Sequence, residues 1–200
     1  MNRKHTLQRF FVAAFLVSAA TLSGATAALA ADDVAGLGGK VVPGLCLLSR
    51  EAVLANAKVS KAANERLATL LKAAQEEIAV ERAPIDRQVV ALRSEAASLK
   101  LEERQRRSQA LAEQLKPVTA KADLRSREID LTRKKALQQV SDYLQPVIAD
   151  VYRQRDCGLL VDRKSVLGGN LSNDLTADVV RGLDARVQTI TFEREHISEE

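Results

Sequence analysis

The chain has 200 residues with 30 basic and 26 acidic side chains, two histidines and two cysteines. Three basic and no acidic residues fall in the first thirty, so the remainder holds 27 basic against 26 acidic residues, and a general affinity for nucleic acid or anionic membrane does not follow from the charge. Outside that segment the aromatics are Tyr143, Tyr152 and Phe192, too few for one compact aromatic-rich core and in keeping with long helices instead.

Residues 1–30 read as a cleaved secretory signal. Arg3, Lys4 and Arg9 form a positive start, Phe10 to Leu22 an apolar stretch, and Ala28-Leu29-Ala30 a small-x-small cleavage site. No later apolar run approaches the ~20 residues of a membrane-spanning helix. The mature chain is therefore expected in the periplasm.

Residues 31–40 form a Gly-rich lead expected to be flexible. Its Gly36-Leu37-Gly38-Gly39-Lys40 lacks the glycine spacing and the hydroxyl residue of a phosphate loop. Residues 41–49 carry the first strand signal, Leu45-Cys46-Leu47-Leu48, with Pro43-Gly44 at its start, where a proline is tolerated. Ser49 caps a helix with Glu51 in its first turn.

Residues 50–156 read as one long antiparallel helical hairpin. Along the outgoing arm Leu67, Leu71, Ala74, Ile78, Ile85, Val89, Leu92, Ala96 and Leu99 recur at heptad spacing. The returning arm shows Leu111, Leu115, Val118 and Ala122, then a weaker stretch, and resumes with Leu137, Val140, Leu144, Val147 and Val151. The reversal falls near Ser98 to Leu101. Pro84 and Pro117 lie about equally far from it, which predicts a shared kink in both arms or, alternatively, the ends of separate shorter helices.

The second strand signal is Leu159-Leu160-Val161-Asp162. Thr176 is expected to cap a last helix with Val179, Val180, Leu183 and Val187 on one face. Residues 157–190 thus join 41–49 in a small β/α body, and the acidic tail, residues 191–200, is expected to fray. Roughly fifteen aliphatic residues outside the arms cannot offset the ordering cost of such a body, which points to assembly of its short-stranded sheet in an oligomer through Leu45, Leu47, Leu159, Val161 and Val166. Cys46 and Cys157 sit at or just before the two strand segments, and either a disulfide or a pair of buried thiols fits them. The fold class is mainly α with a small β body.

Gly158-Leu159-Leu160-Val161-Asp162, then Ser165-Val166-Leu167, then Asp174-Leu175-Thr176-Ala177-Asp178-Val179-Val180 resemble, in order and spacing, the ending of the Skp/OmpH family of periplasmic chaperones. The first strand running straight into a long helix is similar too. The resemblance implies a homotrimer with a central β body and three helical hairpins, whose cavity holds unfolded outer-membrane proteins and prevents their aggregation without ATP. Members of the family are often strongly basic, and this chain departs from them in being close to neutral.

A basic cluster remains near the presumed tip, in Arg93, Lys100, Arg104, Arg106 and Arg107. It is a candidate client contact, or else a solvated face interleaved with Glu95, Glu102 and Glu103. Membrane contact has only weak support in this pattern. The alternative function is a structural or adaptor coiled coil of the cell envelope. An enzyme is not expected, because the sole histidine after the signal is His196 and no cofactor or metal motif is present.

Overall fold

In the computed structural model, residues 37–198 are described, and the expected signal and the first residues of the lead lie outside them. The elements run β1 (Leu45–Leu48), α1 (Arg50–Asn56), α2 (Lys58–Glu95), α3 (Leu101–Gln154), β2 (Leu159–Asp162), a 3-10 turn at Arg163–Ser165, and α4 (Thr176–Arg186).

Pro43-Gly44 forms the turn into β1. Gly44 has φ 72°, and Leu45 N donates to Val42 O at 3.3 Å. Proline followed by a residue of positive φ is the pattern of a type II turn, which favours glycine at the second position. The turn also aims the Gly44 carbonyl at the returning chain, where Gly158 N and Leu159 N both donate to it, at 2.6 and 2.9 Å.

Strands β1 and β2 pair in parallel, Leu45 opposite Leu159 through Leu48 opposite Asp162. On its other side β1 meets the loop before α4: Leu47 N donates to Asn173 O at 3.0 Å and Leu175 N donates to Leu47 O at 2.8 Å. β1 is therefore central. The far edge of β2 has no backbone partner among the described residues.

Ser49 caps α1 as the sequence predicts, its hydroxyl accepting from Ala52 N at 3.1 Å. The outgoing arm is not continuous, however. Ala57 is extended (φ −63°, ψ 140°) and separates α1 from α2. No glycine or proline marks this break. Its cause is tertiary: the Asp184 carboxylate on α4 accepts from Lys58 N at 2.7 Å, capping α2, while Val53, Ala57 and Val59 are fully buried. The cap expected from Thr176 is also supplied otherwise. Asp174 accepts from Thr176 N at 2.8 Å, and the Thr176 hydroxyl accepts from Ser49 N at 2.9 Å.

The arms are unequal, with 38 residues in α2 and 54 in α3, or about 57 and 81 Å at 1.5 Å per residue. They reverse between Glu95 and Leu101, where the sequence places the turn. Pro84, Pro117 and Pro146 lie inside helices, so the prolines do not end separate shorter ones. Ile85 and Val118, each the residue after a proline, pack in one cluster with Leu111. The two prolines are thus at one level of the hairpin.

The main core lies at the foot and is larger than the sequence accounting allows. Cys46, Leu48, Leu175, Val179 and Leu183 of the body share one cluster with Val53, Val59 and Ala63 and with Val140, Leu144, Val147, Ile148 and Val151 of the returning arm. Counting only aliphatics outside the arms missed this, because the helix bases themselves wall the body. A small core therefore does not by itself demand an oligomer.

Cys46 and Cys157, 111 positions apart in sequence, form a disulfide with Cα atoms 5.8 Å apart. It ties the two feet of the hairpin together. A loop of this size restricts the unfolded chain by about 4–5 kcal/mol in the chain-entropy treatment. The Cys46→Ser/Cys157→Ser double variant is expected to lower stability by up to that amount in urea titration, and a midpoint equal to the oxidised protein's would show that strand pairing alone fixes the foot.

Candidate functional site

The candidate surfaces are those of the hairpin. Its seam changes character along its length. At the foot it is aliphatic, and Leu144 and Val140 are almost fully buried. Toward the tip it thins to Ile85, Leu111 and Val118, with Ile78, Val89, Leu92 and Leu115 partly covered. Leu71, Leu137, Val80, Val90 and Leu101 stay exposed. Leu71 and Leu137 are thus seam positions in the sequence pattern that the structure does not bury. On the returning arm the inward pair is Ala136 and Val140, one residue off from the expected Leu137.

The weaker stretch of the returning arm, between Ala122 and Leu137, holds a charge network that sequence reasoning missed. Arg125 grips Glu77 of α2 through Nε and Nη2, both at 2.9 Å, and donates through Nη1 to Glu128 at 2.9 Å. Lys121 lies 2.9 Å from Glu77 and also pairs with Glu81. Glu128 is 1 % exposed. A buried carboxylate is costly unless paired, and here Arg125 and Arg194 flank it, the latter at 3.3 Å. Lys121, Arg125, Glu128 and Thr132 recur at four, three and four residues. That helical stripe, sitting where the apolar seam lapses, is the sequence signal that could have revealed it.

Arg194 belongs to the tail, whose described residues are held against the hairpin and are not frayed. Beyond α4 the chain returns along the hairpin and makes ordered contacts as far as Ile197. Its anchors are the base core, against which Val187, Ile190 and Phe192 pack, and the charged stripe.

At the tip the basic residues divide. Arg106 and Arg107 both pair with Glu103, at 2.6 Å each, and Arg107 also reaches Glu95 at 3.0 Å. Arg93, Lys100 and Arg104 have no acidic partner among the described residues. Arg93 and Arg104 line one shallow groove with Leu92, Ala96 and Leu101, of about 570 Å³. A groove of about 540 Å³ further down is lined by Leu71, Ala74, Ile78, Ala122 and Ile129 together with Arg82 and the Arg133–Asp130 ion pair.

In the body the proposed assembly residues are unevenly placed. Leu47 is buried within the chain, Leu45, Val161 and Val166 are half-buried, and Leu159 is 56 % exposed beside the open edge of β2. Leu167 is fully exposed. No helix among the described residues is long and apolar enough to cross a membrane.

Residues 45–183 match the family described as outer membrane protein (OmpH-like). A crystal structure at 2.83 Å of a candidate outer membrane chaperone (OmpH-like) from Caulobacter crescentus CB15 is 31 % identical, with a TM-score of 0.69 over 81 % of this chain and 96 % of that one. Among curated proteins none matches. The chain belongs to the OmpH-like family.

The Glu77 carboxyl is held well below the usual carboxylate range, first by its hydrogen bond from Arg125, then by Lys121. The unfolded chain therefore binds a proton at Glu77 more readily than the native one. The resulting stabilisation is present above the unfolded value of about 4.3 and is lost as pH falls through the lower native value. Partial exposure of Glu77 limits the effect to about 1 kcal/mol. Glu77→Gln is expected to melt lower than the parent at pH 7, by a gap that is clearly smaller at pH 2. An equal gap at both values in thermal scans would mean that the carboxylate charge contributes nothing.

Proposed function

We propose that the chain is an ATP-independent holdase of the periplasm that binds unfolded outer-membrane proteins between helical arms and keeps them from aggregating. The observation that carries this reading is a pair of long helices fixed at one foot, with aliphatic side chains left exposed along their shafts. Family membership supports a chaperone role. A holdase needs no bond-making group. It binds the unfolded chain in preference to aggregation, and mass action does the rest. Many weak apolar contacts on adaptable arms tolerate varied clients, since no single sequence must be selected.

One hairpin encloses nothing, so the reading includes assembly into a homotrimer through the body. The open edge of β2, with Leu159 exposed beside it, supports this, because unprotected strand edges and their apolar neighbours invite pairing with another chain. The tip residues Arg93, Lys100 and Arg104 are proposed as client contacts. Arg106 and Arg107 contribute less, since Glu103 and Glu95 already engage them.

The test dilutes a urea-denatured outer-membrane barrel protein into buffer with a stoichiometric amount of the chain. Light scattering is expected to fall several-fold, and sedimentation to report a trimer. Leu159→Lys, at an exposed position that leaves the base core intact, is expected to shift the protein to monomers and restore most of the scattering. Scattering that stays at the level of the barrel protein alone would instead favour the structural coiled-coil reading.

A further inference from the structure

The tail from Val187 to Ile197 has no regular secondary structure, yet the hairpin holds it in a particular way. Three contacts reach its main chain. Arg66 Nε of α2 donates to Phe192 O at 3.3 Å. On α3, the Thr132 hydroxyl accepts from Glu195 N at 2.9 Å and Glu128 Oε1 accepts from Ile197 N at 3.2 Å. Ion pairs flank them: Arg66 with Glu193 and Lys135 with Glu195, each at 2.7 Å, and Arg194 with Glu77 at 3.2 Å. Thr132 and Glu128 are 2 % and 1 % exposed. This segment lies past residue 183, where the family match ends.

Backbone N–H and C=O groups are common to every polypeptide, so side chains that grip them accept many sequences. Two of the gripping groups are held by contacts within α3 itself: the Thr132 hydroxyl donates to Glu128 O at 2.6 Å and Arg125 holds the Glu128 carboxylate. The acceptors are therefore oriented before a chain arrives. We propose that the hairpin face formed by Arg66, Glu128, Thr132 and Lys135 is a groove for an extended polypeptide, and that the tail occupies it in cis as a stand-in for an unfolded client. The nature of the competing ligand rests on the holdase reading.

The tether gives the tail a local concentration in the millimolar range, so a weakly held strap still excludes a weakly binding client segment. The client's apparent affinity falls by the fraction of time the groove is closed. The flanking ion pairs are exposed on at least one side and yield to salt, while the contacts to the main chain do not depend on charge at Glu193 or Glu195.

The test uses the full chain and a soluble peptide of about ten residues with the apolar–polar alternation of a membrane-barrel strand. Hydrogen exchange is followed at the Glu195 and Ile197 amides. Both are expected to be protected in the free protein and to exchange several-fold faster at saturating peptide. Glu193→Lys/Glu195→Lys breaks two ion pairs at exposed or half-exposed tail positions and leaves the groove intact. It is expected to tighten peptide binding about three- to tenfold. Peptide binding without a change at those two amides, or unchanged affinity in the double variant, would overturn the strap.

A free peptide of residues Glu193–Ile197, added to the full-length Glu193→Lys/Glu195→Lys variant, separates this from failure of the holdase reading. Its binding at millimolar concentration, weakened about threefold or more by Thr132→Val, supports the groove even if barrel aggregation is not suppressed. No binding there overturns the groove even if suppression is complete.

Discussion

Parallel pairing of β1 with β2 is the constraint from which the rest of the molecule follows. Two parallel neighbours cannot be joined by a tight turn; the connection must leave one end of the sheet and come back to the other. Here that connection is the entire hairpin, and Cys46 bonded to Cys157 locks both of its feet. The Gly44 carbonyl, accepting from Gly158 N and Leu159 N, fixes the point of return. With both feet held, an arm can bend along its length but cannot separate at its base.

The distribution of buried side chains then grades the arm from rigid to compliant. At the foot, Val53, Leu144, Leu175, Val179 and Leu183 are fully buried in one cluster spanning several elements. Midway, packing gives way to the Glu77–Arg125–Glu128–Arg194 network, which is directional and tolerates little displacement. Near the tip a few aliphatics and exposed ion pairs remain. Opening free energies track buried apolar contact, so local unfolding should begin at the tip and stop at the foot. Compliance at the far end combined with a fixed base is the mechanical property a grasping arm requires.

What could be read from residues alone follows the range of the interactions involved. The two strands, the Ser49 cap and the reversal between Glu95 and Leu101 depend on local pattern, and each is visible as an apolar run, a cap residue or a lapse in periodicity. The break at Ala57 depends on Asp184, more than a hundred residues away, and has no local mark. The burial of Glu128 depends likewise on Arg194, and the ordered tail depends on Arg66, Thr132 and Lys135. Composition alone made that tail read as frayed, since acidic segments without partners do fray. Its partners lie on the arms, and that pairing could not be seen without the fold.

Near-neutral charge bears on how such arms would meet a partner. The ion pairs along the shaft neutralise one another locally, Lys121 with Glu77 and Glu81, Arg106 and Arg107 with Glu103, Lys135 with Glu195. Arg93, Lys100 and Arg104 are left as a small positive spot at the tip. At physiological ionic strength such a spot acts over about 8 Å, so on the proposed reading it would orient a chain that has already arrived and would not draw one in from a distance. On the holdase reading proposed above, attraction would then come from the exposed aliphatics and from groups that engage the main chain. Both would be indifferent to the client's net charge, and both would become effective only when a partner is already unfolded enough to offer them.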